Sequence, residues 1–198
     1  MRQNRTEDRM PWELSSSSDK RALAVVDGFG VCAGHGPHYS RRTPGSKTFT
    51  GVGQEIVLVT SCGRAVWACI RQKTPMAVGT GRSRHRATDE AKATDSKARY
   101  VWRNMIFRNL GAGLSSDLIR AALEMTYVEW ARRYGELPDE RLRTEIDLRK
   151  VQSRNPGYCY KMAGWGDSVK KRGKLFLYAP PPTVQPIASE PLHLALAV

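Results

Sequence analysis

The segment Arg108–Gly113 reads Arg-Asn-Leu-Gly-Ala-Gly and has the form R-x-x-G-x-G. Glycines at such spacing let a backbone turn tightly and bring its N–H groups close to a ligand. A helix predicted to begin at about Leu114 would add unpaired N–H donors and a partial positive charge at its first turn. The segment therefore predicts a phosphate or pyrophosphate site. It is not a Walker A loop, because no Gly-Lys-Ser/Thr closes it.

A second motif begins at Asn155 and includes Tyr160–Trp165, which has the form Tyr-x-x-x-Gly-Trp. Over roughly residues 100–178 the chain has, in this order, a predicted strand, the R-x-x-G-x-G segment, a long predicted helix, a second predicted strand, Asn155 and this motif. That order resembles the GNAT acyltransferase superfamily. Within it, the chain is most similar to the phage Mom-like proteins, which modify adenine bases of DNA. The residues that carry this likeness are Phe107-Arg108-Asn109, Leu114–Ile119, Asn155–Cys159 and the segment His38–Arg42 with Pro44 and Lys47.

The resemblance implies that acetyl-CoA or another acyl-CoA is the acyl donor. It implies a GNAT-like domain with a central, mostly antiparallel twisted sheet, splayed central strands and flanking helices. It also implies that Tyr160 protonates the departing thiolate, a general-acid role worth roughly 10²–10⁴-fold in rate. Tyr158 is the alternative acid. The residues expected to bind the donor are Arg108, Asn109, Gly111, Ala112, Gly113, Ser115, Ser116 and Asn155.

An amine acceptor must lose a proton on attack, so a base is expected. GNAT enzymes often have a carboxylate on the first of the two strands, but Met105-Ile106-Phe107 supplies none. Asp147 and Glu145 lie two residues apart on the next strand and share one face. Either faces the cleft or pairs with a neighbouring arginine. His38, whose ordinary pKa suits proton transfer near neutrality, is the other candidate base, and Tyr39 beside it could stack on a nucleobase.

The charge of the chain favours a polyanionic partner. The 198 residues carry 32 Lys and Arg against 19 Asp and Glu, a net charge of +13. Residues 71–108 and 141–174 each hold ten basic and three acidic side chains, and the segment between them is acidic. Such clustering is typical of proteins that bind nucleic acid. The predicted DNA contacts are Arg41, Arg42, Lys47, Arg82, Arg84, Arg86, Lys170, Lys171 and Arg172.

A base amine reacts fully only when the base leaves the stack and enters a pocket. Tyr39, Trp67 and Trp165 are the predicted walls of that pocket. Lys170-Lys171-Arg172-Gly173 also fits an ordinary hairpin turn. The sequence therefore allows two alternatives to the function of a DNA-modifying acyltransferase. One is a GNAT enzyme acting on a small-molecule or protein amine, and the other is a non-catalytic DNA-binding protein with the same fold.

The pattern of elements predicts a single α+β domain over residues 21–178. Residues 1–20 are expected to be flexible, 71–99 to form a long basic loop, and 179–198 a Pro-rich tail. Strands are predicted at 54–60, 65–70, 100–107, 142–148 and 174–178, residues 22–26 are either strand or helix, and a short helical turn is predicted around 158–162. The long helix should run from about Leu114 to Tyr134, capped by Ser115 or Ser116 and ended by Gly135. Its predicted apolar face is Leu114, Leu118, Ala121, Ala122, Met125, Val128 and Ala131.

The remaining composition limits the class of protein. No run approaches 18 apolar residues and no secretory signal opens the sequence, so a soluble cytoplasmic protein without membrane contact is expected. Its four cysteines are expected to be reduced thiols. Cys32, His35 and His38 could ligate a metal, but zinc sites usually have paired ligands, so no bound metal is predicted. A homodimer is allowed by the sequence.

Overall fold

The computed structural model describes residues 11–28, 46–73, 100–151 and 153–183. These ranges contain seven strands and three helices, which confirms a mixed α+β fold. In chain order the elements are β1 (Trp12–Ser15), α1 (Lys20–Asp27), β2 (Gln54–Thr60), β3 (Ala65–Lys73), β4 (Tyr100–Asn109), α2 (Ser115–Tyr134), β5 (Arg143–Asp147), α3 (Tyr158–Met162), β6 (Gly166–Lys171) and β7 (Lys174–Tyr178).

The strands form one sheet in the order β1-β2-β3-β4-β5-β7-β6. All neighbouring pairs are antiparallel except β4 and β5, which are parallel and joined by α2. This is the predicted βαβ unit, since parallel neighbours need a crossover connection. The carboxyl ends of β4 and β5 therefore lie at the same edge of the sheet, where open α/β sheets commonly bind ligands.

The contact between β4 and β5 is short. Within the described strands, only Arg103 with Arg143 and Asn104 with Thr144 are paired. Immediately beyond Asn104, the register between β3 and β4 shifts, leaving Met105 as an extra residue on β4. Such a bulge bends its strand and re-aims the side chains around it. The start of β5 thus pairs with the middle of β4, and the two strands do not pair towards their carboxyl ends.

Two apolar cores lie on opposite faces of the sheet. On one face, α2 and α3 cover a core that contains Ile56, Trp67, Trp102 and Leu177. On the other, α1 covers a smaller core with Val57, Val66, Ala68 and Ile106. Residues that alternate along a strand therefore belong to different cores. This alternation decides which polar side chains of β4 and β5 point towards α2 and which towards the α1 side.

Most predicted elements are confirmed. β2, β7 and α3 have the predicted bounds, β3 and β4 extend slightly further, and β5 is shorter by one residue at each end. The segment 22–26 belongs to α1, whose N-cap Asp19 accepts a hydrogen bond from the Arg21 amide at 2.7 Å. β6 was not predicted. Its six residues are all exposed, so the alternation that marks a half-buried strand is missing from the sequence.

The helix α2 has the predicted length, but its buried face is different. Leu118 and Ala122 are buried as predicted, whereas Leu114 and Val128 are 68% and 59% exposed. Thr126, Tyr127 and Trp130 are buried in their place. The buried Thr126 hydroxyl has hydrogen-bond partners there, because it accepts from the Trp67 indole at 2.9 Å and donates to the Ala122 carbonyl at 2.6 Å. A helical pattern based only on apolar spacing therefore places Thr126, Tyr127 and Trp130 on the exposed face, which is wrong.

The two predicted tails need correction at their inner ends. Trp12–Ser15 pairs with β2, and the buried Trp12 indole donates to the Leu118 carbonyl at 2.9 Å, so this part of residues 1–20 belongs to the sheet. At the other end, Ala179 is buried, and the Tyr127 hydroxyl donates to the Pro180 carbonyl at 2.6 Å. The packed chain therefore extends past residue 178.

Candidate functional site

The glycine-rich segment follows β4 directly and leads into α2. Gly111 has φ +89° and Gly113 has φ +151°, backbone conformations that residues with a Cβ rarely adopt. No heavy atom lies within 4 Å of the position that a Cβ would take at either glycine. The turn is therefore shaped by its glycines and open on its outer side, as a loop that approaches a ligand must be.

The side chain of Asn109 organises this turn from within. Its Oδ1 accepts hydrogen bonds from the Gly111 amide at 3.0 Å and the Ala112 amide at 2.8 Å. Its Nδ2 donates to the Gly113 carbonyl and to the Ser115 hydroxyl. Two of the amides predicted to hold pyrophosphate thus converge on one oxygen of this side chain. The carboxamide oxygen thus lies where two backbone N–H groups converge, an arrangement like that of the backbone concavities that bind anions.

The first turn of α2 stands next to this loop. Its N-cap is Leu114, with no side-chain capping bond, so the prediction of a Ser115 or Ser116 cap is wrong. Ser115 is instead engaged by Asn109, and Ser116 is buried. Because no side chain caps the helix, its first amides are left to water or to a ligand. Asp117, in the same turn, pairs with Arg120 at 2.8 Å.

Arg108 points away from the loop. Its Nη1 donates to the Val26 carbonyl at 3.1 Å, at the C-terminal end of α1. Partial burial lowers the pKa of its guanidinium, and the nearby Asp27 opposes this change. A cation at a helix C-terminus is stabilised by the helix dipole. In this structure Arg108 holds α1 against β4, and its side chain is not part of the glycine turn.

Tyr160 lies on α3 with its hydroxyl at the point where β4 and β5 stop pairing. This hydroxyl donates to Asn104 Oδ1 at 2.6 Å, and both side chains are buried. The Asn104 amide group donates to the carbonyls of Ala68 and Ile106, both at 3.0 Å, and so spans the bulge of β4. The predicted acid is thus fixed in position by a residue that the sequence analysis did not select. The sequence signal for this residue is a single carboxamide side chain, that of Asn104, within the otherwise mostly apolar strand predicted at 100–107.

Aromatic side chains surround the ring of Tyr160. Phe107, Trp67 and Trp165 have ring centroids 5.0–6.4 Å from its own. Trp67 is fully buried, Trp165 is 3% exposed, and both belong to the main core. They pack against Tyr160 and do not present a face to an incoming base, so their predicted role as walls of a base pocket is wrong.

The two candidate carboxylates of β5 are both paired with cations. Asp147 Oδ1 lies 3.0 Å from Arg149 Nε, and Glu145 pairs with Lys174. The hydrogen bond from Arg149 holds the pKa of Asp147 below its ordinary value. Of the two possibilities that the sequence left open, the structure shows the ion pair, with Arg149 for Asp147 and with Lys174 instead of an arginine for Glu145. Asp147 nevertheless lies at the carboxyl end of β5, at the same edge of the sheet as Asn109.

Asn155 precedes α3. Its Oδ1 accepts from Lys161 Nζ at 3.1 Å, and its carbonyl accepts from the Tyr158 amide. Gly157, at φ +77°, allows α3 to pack closely, because a Cβ there would lie 2.7 Å from Ile146 Cδ1 and 2.8 Å from Leu177 Cδ1. Tyr158, the alternative acid, is 54% exposed on the outer side of α3. Asn155 therefore helps to start the helix that carries Tyr160.

The predicted DNA contacts fall into two groups. Lys47, Lys170, Lys171 and Arg172 are exposed, the last in the turn between β6 and β7. The predicted hairpin is confirmed, but Lys170 and Lys171 are the last residues of β6, and the turn itself is Arg172-Gly173. Outside the described residues lie Arg41, Arg42, Arg82, Arg84, Arg86, His38, Tyr39 and the metal candidates Cys32 and His35.

Within the described ranges, no group of three or more His, Cys, Asp or Glu side chains is placed to hold a metal ion. Cys62, Cys69 and Cys159 are free thiols. Among the helices that the structure describes, none is long and apolar enough to cross a membrane. No protein-family model, curated protein or solved structure matches the chain.

Proposed function

We propose that this chain is an acyl-CoA-dependent N-acyltransferase of the GNAT type, similar to the Mom-like proteins, that modifies an amino group of a DNA base, with adenine as the target. One observation carries the proposal: β4 and β5 are parallel, stop pairing after two residue pairs, and hold a glycine turn at the end of β4 and a buried tyrosine hydroxyl where pairing stops. A donor threaded between such strands would have its phosphates and its thioester near different parts of one cleft.

The loop fits the phosphates of an acyl-CoA. The Asn109 oxygen on the amides of Gly111 and Ala112 is a stand-in for a phosphate oxygen, and the space outside both glycines is open. In the proposal, the Asn109 carboxamide rotates away and the two amides, with the first-turn amides of α2, bind the pyrophosphate. Backbone N–H groups at a helix start are well suited to this role.

The donor supplies a thioester. In the proposed reaction the base amine attacks the thioester carbonyl carbon, the new C–N bond forms, and the C–S bond breaks. The Tyr160 hydroxyl turns from Asn104 Oδ1 to the sulfur, and the departing thiolate takes its proton. The amine proton goes to a base. Asp147, with its lowered pKa, is a poor proton acceptor, so His38 is the base in this reaction.

The net charge of +13 and the exposed basic side chains of the β6–β7 hairpin support DNA as the partner. The test is mass spectrometry of nucleosides from DNA co-expressed with the protein, in parallel with thermal stabilisation by acetyl-CoA. We expect an added acyl mass on adenine and a rise in the melting temperature that Gly111→Asp abolishes. Acetyl-CoA binding beside unmodified DNA would instead point to a small-molecule or protein amine.

A second candidate function is favoured by a specific observation. The Gly111 and Ala112 amides, the Tyr160 hydroxyl and the Asp147 carboxylate are all occupied by partners from the chain itself. A protein that keeps the fold but only binds DNA would have this arrangement. DNA binding without any stabilisation by acetyl-CoA or other acyl-CoA compounds identifies this alternative.

A further inference from the structure

The α1-side face of β5, β7 and β6 presents arginine and aromatic side chains in a regular order. Leu175 and Leu177 point into the main core, so Phe176 and Tyr178 point to the opposite face. The Arg143 guanidinium lies 5.2 Å from the Phe176 ring centroid, and that of Arg141 lies 5.4 Å from the centroid of Tyr178. We call these four side chains the Arg–aromatic ladder.

This face has an excess of positive charge. Its carboxylates are all paired: Glu145 with Lys174, Asp147 with Arg149, and Asp167 with Arg141 at 2.6 Å. In the described chain, no carboxylate lies within ion-pair distance of the remaining cations that share this face, Arg103, Arg143 and Lys171.

Arg103 and Arg143 are directly opposite each other on the parallel pair β4–β5. The Arg103 Nε atom is buried and has no hydrogen-bond partner in the described ranges. Burial lowers the pKa of Arg103, as does the charge of Arg143, while Glu145 acts in the opposite direction. Two neighbouring guanidinium groups without an ion-pair partner form a site that an anion would stabilise.

The described helices leave this part of the sheet uncovered. α1 packs on the core of β2, β3 and β4, and α2 and α3 lie on the opposite face. Val169, next to Phe176 in register, is 48% exposed, and Phe176 and Tyr178 are partly exposed. In the described chain, the ladder is therefore partly exposed on the side that faces away from α2.

We propose that the Arg–aromatic ladder binds an unpaired segment of nucleic acid, with bases on Phe176 and Tyr178 and phosphates on Arg143 and its cationic neighbours. This inference rests on the proposed DNA substrate and names a surface that holds the strand. Aromatic rings between cations are the usual means of binding single strands, since every base has a face that stacks. An acidic peptide would use the cations but gain little from the rings.

The test measures the affinity of the full chain for a labelled single-stranded oligonucleotide by fluorescence anisotropy at several salt concentrations. Arg143→Ala should weaken binding about tenfold and reduce the slope of log K against log salt by about 0.7, the value for one phosphate on a single strand. Phe176→Leu keeps an apolar side chain and removes the ring, so it should weaken binding about tenfold without changing the slope. Arg132→Ala, on the exposed surface of α2, is the control and should stay within twofold of wild type.

Acetyl-CoA stabilisation and circular dichroism of each variant show that the fold and the donor site persist. If the protein modifies DNA but the ladder variants bind the oligonucleotide as well as wild type, the proposal that the ladder binds nucleic acid is wrong. The proposed function is then unaffected. Ladder-dependent binding without a modified nucleoside supports the ladder and counts against the proposed function. Competition by polyglutamate at the same charge concentration as the oligonucleotide overturns the assignment to nucleic acid.

Discussion

The hydroxyl of Tyr160 donates a 2.6 Å hydrogen bond to Asn104 Oδ1, and Asn104 in turn donates to the carbonyls of Ala68 on β3 and Ile106 on β4, next to the β4 bulge. Tyr160 comes from α3 and Asn104 from β4, so this bond joins two elements that are 56 residues apart at the end of the β4–β5 pairing. It fixes the hydroxyl where strand pairing ends, and we expect its removal to change stability and acyl transfer separately.

Tyr160→Phe should destabilise the fold by about 1–3 kcal/mol, because the buried Asn104 oxygen loses its donor. If Tyr160 is the acid, the same variant should reduce the acyl-transfer rate roughly 10²–10⁴-fold. Urea unfolding and the transfer rate measure the two effects. Tyr158→Phe is the matched control, since Tyr158 is exposed two residues away, and it should change neither quantity.

Full activity in Tyr160→Phe would remove the residue from the mechanism, and a loss confined to Tyr158→Phe would assign the acid to Tyr158. Asn104→Ala completes a double-mutant cycle with Tyr160→Phe. The free energy of coupling in unfolding reports the hydrogen bond itself, and the two changes are expected to be non-additive because the residues are in contact.

Asn109→Asp should weaken acetyl-CoA binding at least tenfold. A carboxylate would bind the Gly111 and Ala112 amides more strongly than the carboxamide does, and it would repel the pyrophosphate. Isothermal titration calorimetry measures the change. Gln72→Glu, at the far end of β3, adds the same charge away from the loop and should leave the affinity unchanged. Equal affinity in Asn109→Asp and wild type would mean that phosphate binds elsewhere.

Trp130→Ala should destabilise the protein by about 3–5 kcal/mol, whereas Val128→Ala should cost less than about 0.5 kcal/mol. Trp130 is 1% exposed and its ring centroid lies 4.8 Å from that of Trp102, while Val128 is 59% exposed. Chemical denaturation of the two variants distinguishes the observed face of α2 from the one predicted by apolar spacing. A larger loss for Val128→Ala would contradict the observed packing.

The sequence predicted elements well where periodicity or glycines set them, as at β7, α3 and the glycine turn after β4. It failed where a polar group is buried with its partner. Thr126 on α2 and Asn104 on β4 have polar side chains, and only the fold reveals the Trp67 and Tyr160 groups that they contact. The ladder was missed for a related reason: cross-strand neighbours such as Arg143 and Phe176 are far apart in sequence and depend on register.

Arg149→Ala should raise the pKa of Asp147 towards its ordinary value of 3.8, because the hydrogen bond from Arg149 is what lowers it. Because the pKa of Asp147 is lower in the folded state, the ion pair stabilises the fold fully at pH values above the ordinary pKa. This contribution is lost as the pH falls through the lowered pKa of the folded state. A carboxylate of this kind stays ionised from pH 5 to 8, so Asp147→Asn should leave the shape of the pH–rate profile unchanged over that range. NMR titration of the Asp147 carboxyl carbon and the rate profile of Asp147→Asn test both statements, and a limb near neutrality that disappears in Asp147→Asn would restore Asp147 as the base.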